Sequence, residues 1–218
     1  MTCTFMELQM RTAHANATFP DEPTAQKPRL VWHWYDLICP FCYVGQDRSA
    51  VLERHGLEVV DLGLEIHPET PAAGRYVGPR HGPMFEYLER EARLAGLPLR
   101  WPDRMANSRR ALAAVEWVRR EQPEHARLLR AALFRAYFAN QEDIFDEAVV
   151  LGHAAAVGVP ARALAAGLGD GSAFDLLARR ERSGRRFGVR STPSWLVAGR
   201  LVSGLRARED FEQLAATT

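Results

Sequence analysis

Lysine is almost absent from this sequence, which contains a single one, Lys27, among 28 basic residues. The sequence therefore gives no support to a lysine Schiff base or to a lysine-based phosphate site. An excess of either charge is absent as well, because 27 acidic residues leave a net charge of +1 at pH 7. A nearly neutral chain produces no overall field that would attract nucleic acid or anionic lipid. We therefore expect neither nucleic acid nor a membrane among the partners.

Long apolar runs are lacking too. No stretch approaches the ~18 apolar residues of a transmembrane helix. Near the N-terminus, Glu7, Gln9 and Arg11 interrupt the apolar residues before they reach the roughly 7–15 residues of a secretory signal. We therefore expect a cytoplasmic protein. Hydrophobic residues make up 47% and charged residues 25% of the 218 residues, which indicates a folded chain with one large domain or one domain that carries an insertion.

Cysteine is scarce. The three cysteines, Cys3, Cys39 and Cys42, are too few for a disulfide framework, and their number is odd. A zinc site would require a second pair of ligands, which Cys3 and the scattered histidines do not supply, so we predict no metal site. A packing role for Cys39 and Cys42, as two inert thiols in a core turn, stays open at this point.

The secondary-structure signals follow the order β-α-β, then a helical block of about a hundred residues, then β-β-α. A helix-rich insertion that splits a small α/β domain explains this order without a second sheet. We predict a flexible N-terminal extension at residues 1–28, an α/β domain formed by residues 29–78 and 187–218, and a helical insertion domain at residues 79–186. Within the block, Asp143 is expected to cap a helix.

Cys39-Pro40-Phe41-Cys42 is the motif that carries chemistry. Pro40 fits the first turn of a helix, where its missing N–H costs nothing. Cys39 would then lie at the helix N-terminus, where free backbone N–H groups and the helix dipole favour a thiolate. A thiolate attacks a partner sulfur to form a mixed disulfide, and Cys42 can then release the partner. Phe41 carries no charge that could pair with the thiolate.

Three parts of the sequence together resemble a known family. They are residues 36–45 around the two cysteines, the segment Ala-Leu-Phe-Arg-Ala-Tyr-Phe at residues 132–138, and Thr192-Pro193 directly before a predicted strand. The chain resembles the DsbA-like branch of the thioredoxin superfamily, most closely its FrnE-like dithiol-disulfide oxidoreductases, over about residues 30–216. The resemblance implies an α/β class protein with a thioredoxin-like fold interrupted by a helical insertion domain.

The resemblance also implies the site. The bond before Pro193 would be cis and would lie beside the dithiol, which leaves the backbone of Thr192 free to pair with a substrate strand. Many relatives have Trp where this chain has Phe41, an aromatic change that leaves the reaction type alone. The implied site residues are Cys39 and Cys42 as catalytic residues and Pro40, Phe41, Thr192 and Pro193 as substrate-binding residues.

The predicted function is protein dithiol-disulfide oxidoreductase or isomerase. The substrates would be thiols or disulfides, in proteins or small molecules, and a cytosolic setting favours the reductase or isomerase direction. No cofactor is implied beyond the redox-active disulfide, with glutathione conceivable as a co-substrate. A monomer or a homodimer is expected.

Two other functions stay open. Glutathione-dependent hydroxychromene-carboxylate isomerases and kappa-class glutathione transferases, which act on small aromatic substrates, resemble the same layout. They usually have Ser where this chain has Cys39, which argues against that activity. A non-catalytic module that holds a partner peptide in the cleft is the third hypothesis.

Cys42 must lose a proton before it can attack a mixed disulfide, so a buried proton acceptor is expected near it. His33, Asp36 and Glu65 are the candidates. A satisfied structural histidine is the simpler interpretation of His33. Asp36 is more simply interpreted as the cap of the active-site helix turn.

Overall fold

The computed structural model describes residues 29–218; the N-terminal extension predicted at residues 1–28, together with Cys3, lies outside the described residues. The chain forms, in order, β1 (Leu30–Tyr35), α1 (Pro40–Arg54), β2 (Glu58–Gly63), β3 (Arg75–Tyr76), α2 (Pro83–Leu94), β4 (Arg104–Met105), α3 (Arg109–Glu121), α4 (Pro123–Phe138), α5 (Glu147–Ala156), α6 (Ala161–Gly169), α7 (Ser172–Arg186), β5 (Ser194–Val197), β6 (Arg200–Ser203) and α8 (Arg208–Ala216).

The main sheet has four strands in the order β2-β1-β5-β6. β1 and β2 are parallel and are joined by the crossover helix α1, whereas β5 runs antiparallel to β1 and β6 runs antiparallel to β5. Every residue of β1 is buried, because helices cover both faces of the sheet. This is the thioredoxin-like α/β architecture that the sequence resemblance implies.

Alternation along β1 sends its side chains to two different cores. Val31 packs with Trp195 and with Phe211 of α8 on one face. Trp32 and Trp34 pack on the other face. There α7 approaches so closely that a Cβ added at Gly184 would lie 2.8 Å from the indole nitrogen of Trp34. These contacts fix β1, whose carboxyl end leads into the dithiol.

The helices α2–α7 lie between β2 and β5 in the chain. The largest core joins them to the sheet, since it contains Tyr35 and Cys42 together with Leu112 of α3 and Phe134 of α4. The helical block is therefore packed over the carboxyl end of β1. The domain boundaries at 78/79 and 186/187 stay a prediction.

Three local expectations are wrong. A second, two-stranded sheet pairs β3 with β4; strands of two residues are too short to leave a periodic signal. Helix α6 was not predicted; it has nine residues, is rich in Ala and Gly, and contains a single charged residue, Arg162. Asp146, rather than Asp143, caps α5 through Ala148 N–H, while the Asp143 carboxylate accepts from Phe145 N–H one turn earlier.

Candidate active site

The two cysteines lie where β1 ends and α1 begins. Cys39 is the N-cap residue and Pro40 occupies the first turn, as the sequence predicts. The Cys39 carbonyl accepts from Tyr43 N–H at 3.1 Å, and Cys39 N–H donates to the carbonyl of Asp36 at 3.2 Å. Both cysteines are free thiols; Cys39 is 4% exposed and Cys42 is fully buried. The motif therefore presents one sulfur near the surface and keeps the other beneath it.

The hydrogen-bond donors around the Cys39 sulfur favour its thiolate form. A hydrogen bond from the Cys42 thiol lowers the pKa of Cys39 below its ordinary value, and this outweighs burial, which acts in the opposite direction. The hydroxyl of Thr192 and the backbone N–H of Cys42 lower the pKa further. These donors lie in the first turn of α1 and in the segment before β5, so the fold itself assembles them around the sulfur.

The Cys42 thiol is held in its protonated form. Burial raises the pKa of Cys42 well above its ordinary value, and the hydrogen bond that it donates to Cys39 raises it further. The negative charge of an ionised Cys39 acts in the same direction. Two thiols three positions apart thus have pKa values displaced in opposite directions, which gives them different chemical roles.

Thr192, in the segment before β5, lies against the dithiol. Thr192 is buried, and its carbonyl oxygen lies 3.4 Å from the Cys39 sulfur. The Cys39 thiol donates this hydrogen bond, so the bond exists only while Cys39 is protonated. The Thr192 hydroxyl forms no hydrogen bond among the described residues in this dithiol form. It can therefore donate to either sulfur on ionisation, which lowers the pKa of both thiols. The Thr192–Pro193 bond is cis.

Phe41 lies beside the exposed side of the motif. Its ring is partly buried and packs against the cluster formed by Val44 of α1 and by Leu88 and Ala92 of α2. Pro40 is partly exposed. Both side chains therefore border the surface next to Cys39; whether they bind substrate stays a prediction.

Asp36 does not cap α1, contrary to expectation, because Cys39 holds the N-cap position. The fully buried Asp36 carboxylate instead accepts from Ile38 N–H at 3.2 Å and from Ile66 N–H at 2.8 Å. Burial raises the pKa of Asp36 to about 6, although these two N–H groups and the Ser108 hydroxyl favour the ionised form. The backbone N–H of Asp36 donates to the Cys42 sulfur, so this residue lies directly against the buried thiol.

The other two candidate proton acceptors have their own partners. Glu65 forms an ion pair with Arg109 at 2.7 Å, and it lies close enough to Asp36 to raise the pKa of that carboxyl. His33 is fully buried and stacks on the indole of Trp195 at 4.6 Å. Burial lowers the pKa of His33, and its Nδ1 is 2.7 Å from the Asp61 carboxylate. His33 therefore belongs to a separate polar cluster.

Sequence reasoning missed the Ser108 hydroxyl and the Arg109 guanidinium as members of this neighbourhood. Both lie at the start of α3, far from the motif in the chain, and nothing in their local sequence distinguishes them from other helix-start residues. Within residues 29–218, no group of three or more His, Cys, Asp or Glu side chains is arranged to hold a metal ion. In the same part of the chain no helix has the length and apolar character needed to cross a membrane.

Comparison with known proteins agrees with this architecture. Residues 31–216 match the family model described as the DSBA-like thioredoxin domain. No curated protein sequence matches the chain. A similar solved structure is that of a "probable DsbA oxidoreductase" from Streptomyces coelicolor, with 26% identity, a TM-score of 0.74, and coverage of 86% of this chain and 88% of that one.

Two more distant structures share the fold. One is the cytosolic disulfide reductase DsbM from Pseudomonas aeruginosa, solved with GSH; it is 23% identical, with a TM-score of 0.63 and coverage of 86% of this chain and 98% of that one. The other is a 2-hydroxychromene-2-carboxylate isomerase that is 20% identical, with a TM-score of 0.68 and coverage of 86% and 93%.

Proposed function

This chain belongs to the DSBA-like thioredoxin domain family, and from that premise we propose that it is a thiol-disulfide oxidoreductase that works through Cys39 and Cys42. The observation that carries the proposal is the arrangement of the two thiols at the start of α1: Cys39 is the N-cap residue with its sulfur against the Thr192 carbonyl, whereas Cys42 is fully buried. This arrangement displaces the pKa downward at Cys39 and upward at Cys42. An exchange enzyme needs this asymmetry, because one sulfur must attack as a thiolate while the other waits as a thiol.

The reaction proceeds in two balanced steps. The Cys39 thiolate attacks one sulfur of a substrate disulfide, so that a Cys39–substrate disulfide forms and the other substrate sulfur leaves as a thiolate. Cys42 then gives up its proton and attacks the Cys39 sulfur, which releases the second substrate sulfur and leaves a Cys39–Cys42 disulfide. The substrate gains two electrons and the dithiol loses two.

The substrate would lie across the surface formed by Pro40, Phe41, Thr192 and Pro193. Thr192 touches the Cys39 sulfur through its carbonyl, and Pro40 and Phe41 directly follow Cys39 in the chain and are partly exposed. We therefore assign substrate binding to these residues.

We further propose the reductase or isomerase direction, with glutathione as the thiol that returns the disulfide to the dithiol. A stabilised Cys39 thiolate favours the reduced form of the couple, so the dithiol is the resting form that both a reductase and an isomerase need. The same stabilisation makes the dithiol a weaker reductant, so the reductase direction depends on the likeness to a solved reductase and not on the thiolate. The likeness to DsbM, described as a cytosolic disulfide reductase and solved with GSH, supports this direction.

Turnover of a model protein disulfide, with glutathione as the reductant, tests the function. We expect the purified protein to accelerate reduction and to pass through a Cys39–Cys42 disulfide that mass spectrometry detects after alkylation. Absence of both the acceleration and the disulfide would contradict the proposal. An intact fold that binds a peptide without redox turnover would favour the non-catalytic hypothesis instead.

We assign the proton of Cys42 to the Asp36 carboxylate. Asp36 lies directly against the Cys42 sulfur through its backbone N–H, and its carboxylate, with a pKa of about 6, is ionised at neutral pH. Among the described residues its carboxylate has no cationic hydrogen-bond partner that would hold the charge in place. The negative charge of this carboxylate acts on the neighbouring Cys39 sulfur, and we propose that the carboxylate takes the proton as Cys42 attacks and returns it to the departing substrate thiolate.

Asp36→Asn is expected to affect the two thiols in opposite directions. Release of the mixed disulfide should slow by about 10²-fold near neutral pH, because a positioned base is removed. In the wild-type protein the release rate should rise as pH passes about 6, where Asp36 ionises; the variant should lack this rise.

Alkylation of Cys39 at low pH should be faster in the Asp36→Asn variant than in the wild type, because the negative charge of Asp36 raises the pKa of Cys39. Stopped-flow release and alkylation rates between pH 5 and 9 would check this; a fall in both rates would indicate structural damage and contradict the assignment.

A further inference from the structure

Trp195 is a side chain through which strand β5 contacts the active-site helix α1. Its indole is fully buried, and its Nε1–H donates to the Ser49 hydroxyl at 3.1 Å. Gly45 lies one turn earlier on the same face of α1, because residues four apart in a helix are neighbours. A Cβ added at Gly45 would lie 3.3 Å from the Cη2 atom of the indole, closer than such atoms normally pack. The indole therefore lies directly against Gly45 and Ser49 and uses the room that the glycine leaves.

Two further rings hold the indole of Trp195 in place. The His33 imidazole of β1 stacks on it at a centroid distance of 4.6 Å, with an interplanar angle of 10°. The Phe211 ring of α8 packs edge-on against it at 4.7 Å. All three side chains are buried. The indole therefore cannot turn away from α1 without displacing both neighbours.

The chain between Thr192 and Trp195 is braced by hydrogen bonds. The Ser194 hydroxyl donates to the carbonyl of Ser191 at 2.8 Å, which closes the segment on itself. The backbone N–H that directly follows β6 donates to the carbonyl of Pro193 at 2.8 Å, which ties the segment to the neighbouring strand. A shift of Trp195 is therefore passed on to Thr192 and is not absorbed between them.

The helix and the braced segment also meet at the dithiol. α1 begins directly after Cys39, and the carbonyl oxygen of Thr192 is 3.4 Å from the Cys39 sulfur. Gly45 is six positions after Cys39, which is about 9 Å along the axis of a helix. Because the two segments touch at both places, the contact at Trp195 sets how closely Thr192 approaches the sulfur.

We propose that Gly45 and Ser49 are positioning residues of the exchange reaction. By holding Trp195, they keep Thr192 in the place where it acts on the Cys39 sulfur. The inference rests on the proposed function, because it gives these two residues a part in that reaction. The hydroxyl of Thr192 is one of the donors that lower the pKa of Cys39. The pH profile of Cys39 alkylation therefore separates a positioning role from a role in packing alone.

Ser49→Ala tests the proposal through the pH profile of Cys39 alkylation by iodoacetamide, followed by mass spectrometry. The variant removes the acceptor of the indole N–H. We expect the alkylation midpoint of Cys39 to rise by about half a pH unit or more, towards the ordinary thiol pKa. The matched control is Ser183→Ala, the same substitution at another buried helical serine, in α7 on the other face of the sheet. Its midpoint should equal that of the wild type.

Two further variants test the same contact. Trp195→Phe removes the donor of the same hydrogen bond, so the double variant Ser49→Ala/Trp195→Phe should shift the midpoint no further than the larger of the two single shifts. Gly45→Ala should also raise the midpoint, because the added Cβ presses on the indole. Alanine is the better helix former, so thermal unfolding of this variant separates a change of position from a loss of helix stability.

The outcomes are distinct. An unchanged midpoint in Ser49→Ala or in Gly45→Ala, at whatever stability, would leave a packing role alone and overturn the proposal. Equal shifts in Ser49→Ala and Ser183→Ala would overturn it too, as would additive shifts in the double variant. An ordinary thiol midpoint at Cys39 in the wild-type protein would instead contradict the proposed function, and with it this inference.

Discussion

Cys39→Ser is expected to abolish disulfide reduction, with a loss of at least about 10³-fold, or about 4 kcal/mol of transition-state stabilisation. A serine hydroxyl in the same place can donate to the Thr192 carbonyl, as the Cys39 thiol does, and can accept from the Cys42 thiol. It does not ionise at neutral pH, however, and does not form a disulfide. The measurement is the rate of glutathione-dependent reduction of a model protein disulfide by the purified variant.

Cys3→Ser is the matched control, because it removes a thiol that the proposed reaction does not use. It should retain full activity. If Cys39→Ser kept more than a small fraction of wild-type turnover, Cys39 would not be the nucleophile. If Cys3→Ser lost activity as well, a third redox-active thiol would have to be added to the reaction.

Cys42→Ala should trap the substrate on the enzyme. With the releasing thiol gone, the Cys39–substrate disulfide should persist for minutes to hours, the timescale of uncatalysed disulfide rearrangement. Non-reducing mass spectrometry would measure the adduct and identify the attached species. A protein partner would indicate protein disulfide exchange; glutathione alone would indicate small-molecule chemistry.

The double variant Cys39→Ser/Cys42→Ala is the control for this trap and should carry no adduct. An adduct on that variant would mean that a different thiol had reacted. Rapid clearance of the adduct from Cys42→Ala would contradict the role given to Cys42. Replacement of Cys42 by Ala removes a single sulfur atom, so the fold should be retained even though Cys42 is fully buried.

The sequence correctly predicts the strand and the helix that hold the dithiol. The first strand of the predicted order forms at Leu30–Tyr35, because its Val- and Trp-rich run is a strong strand signal. Pro40 and Cys39 occupy the predicted positions at the start of α1, because the proline ring suits the first turn of a helix. These features depend on residues close together in the chain, and local patterns report them directly.

The electrostatics of the site could not be predicted in the same way. The donors that act on Cys39 and Cys42 include Thr192, which is 153 positions from Cys39 in the chain. Asp36 was expected to be a cap, but the fold gives its carboxylate the N–H of Ile66, a residue beyond β2. Such partners are brought together only by tertiary packing, and single-sequence patterns carry no signal for them.

The sequence also does not predict the cavity of about 540 Å³ that residues 56–61 form with side chains of α3 and α4. Arg119 and Arg130 are two among many arginines in this sequence, and a solvated helix face is the usual place for such a residue. Their burial depends on how α3 and α4 meet the sheet edge. Length and spacing along the chain do not reveal it.

The pH dependence of alkylation, followed separately for each cysteine by mass spectrometry, tests the central claim most directly. We expect iodoacetamide to modify Cys39 of the reduced wild-type protein readily at neutral pH, with a midpoint below the ordinary pKa of a thiol, while Cys42 stays unmodified. Slow modification of Cys39 that accelerates only near the ordinary thiol pKa, or equal reactivity of the two cysteines, would contradict the account.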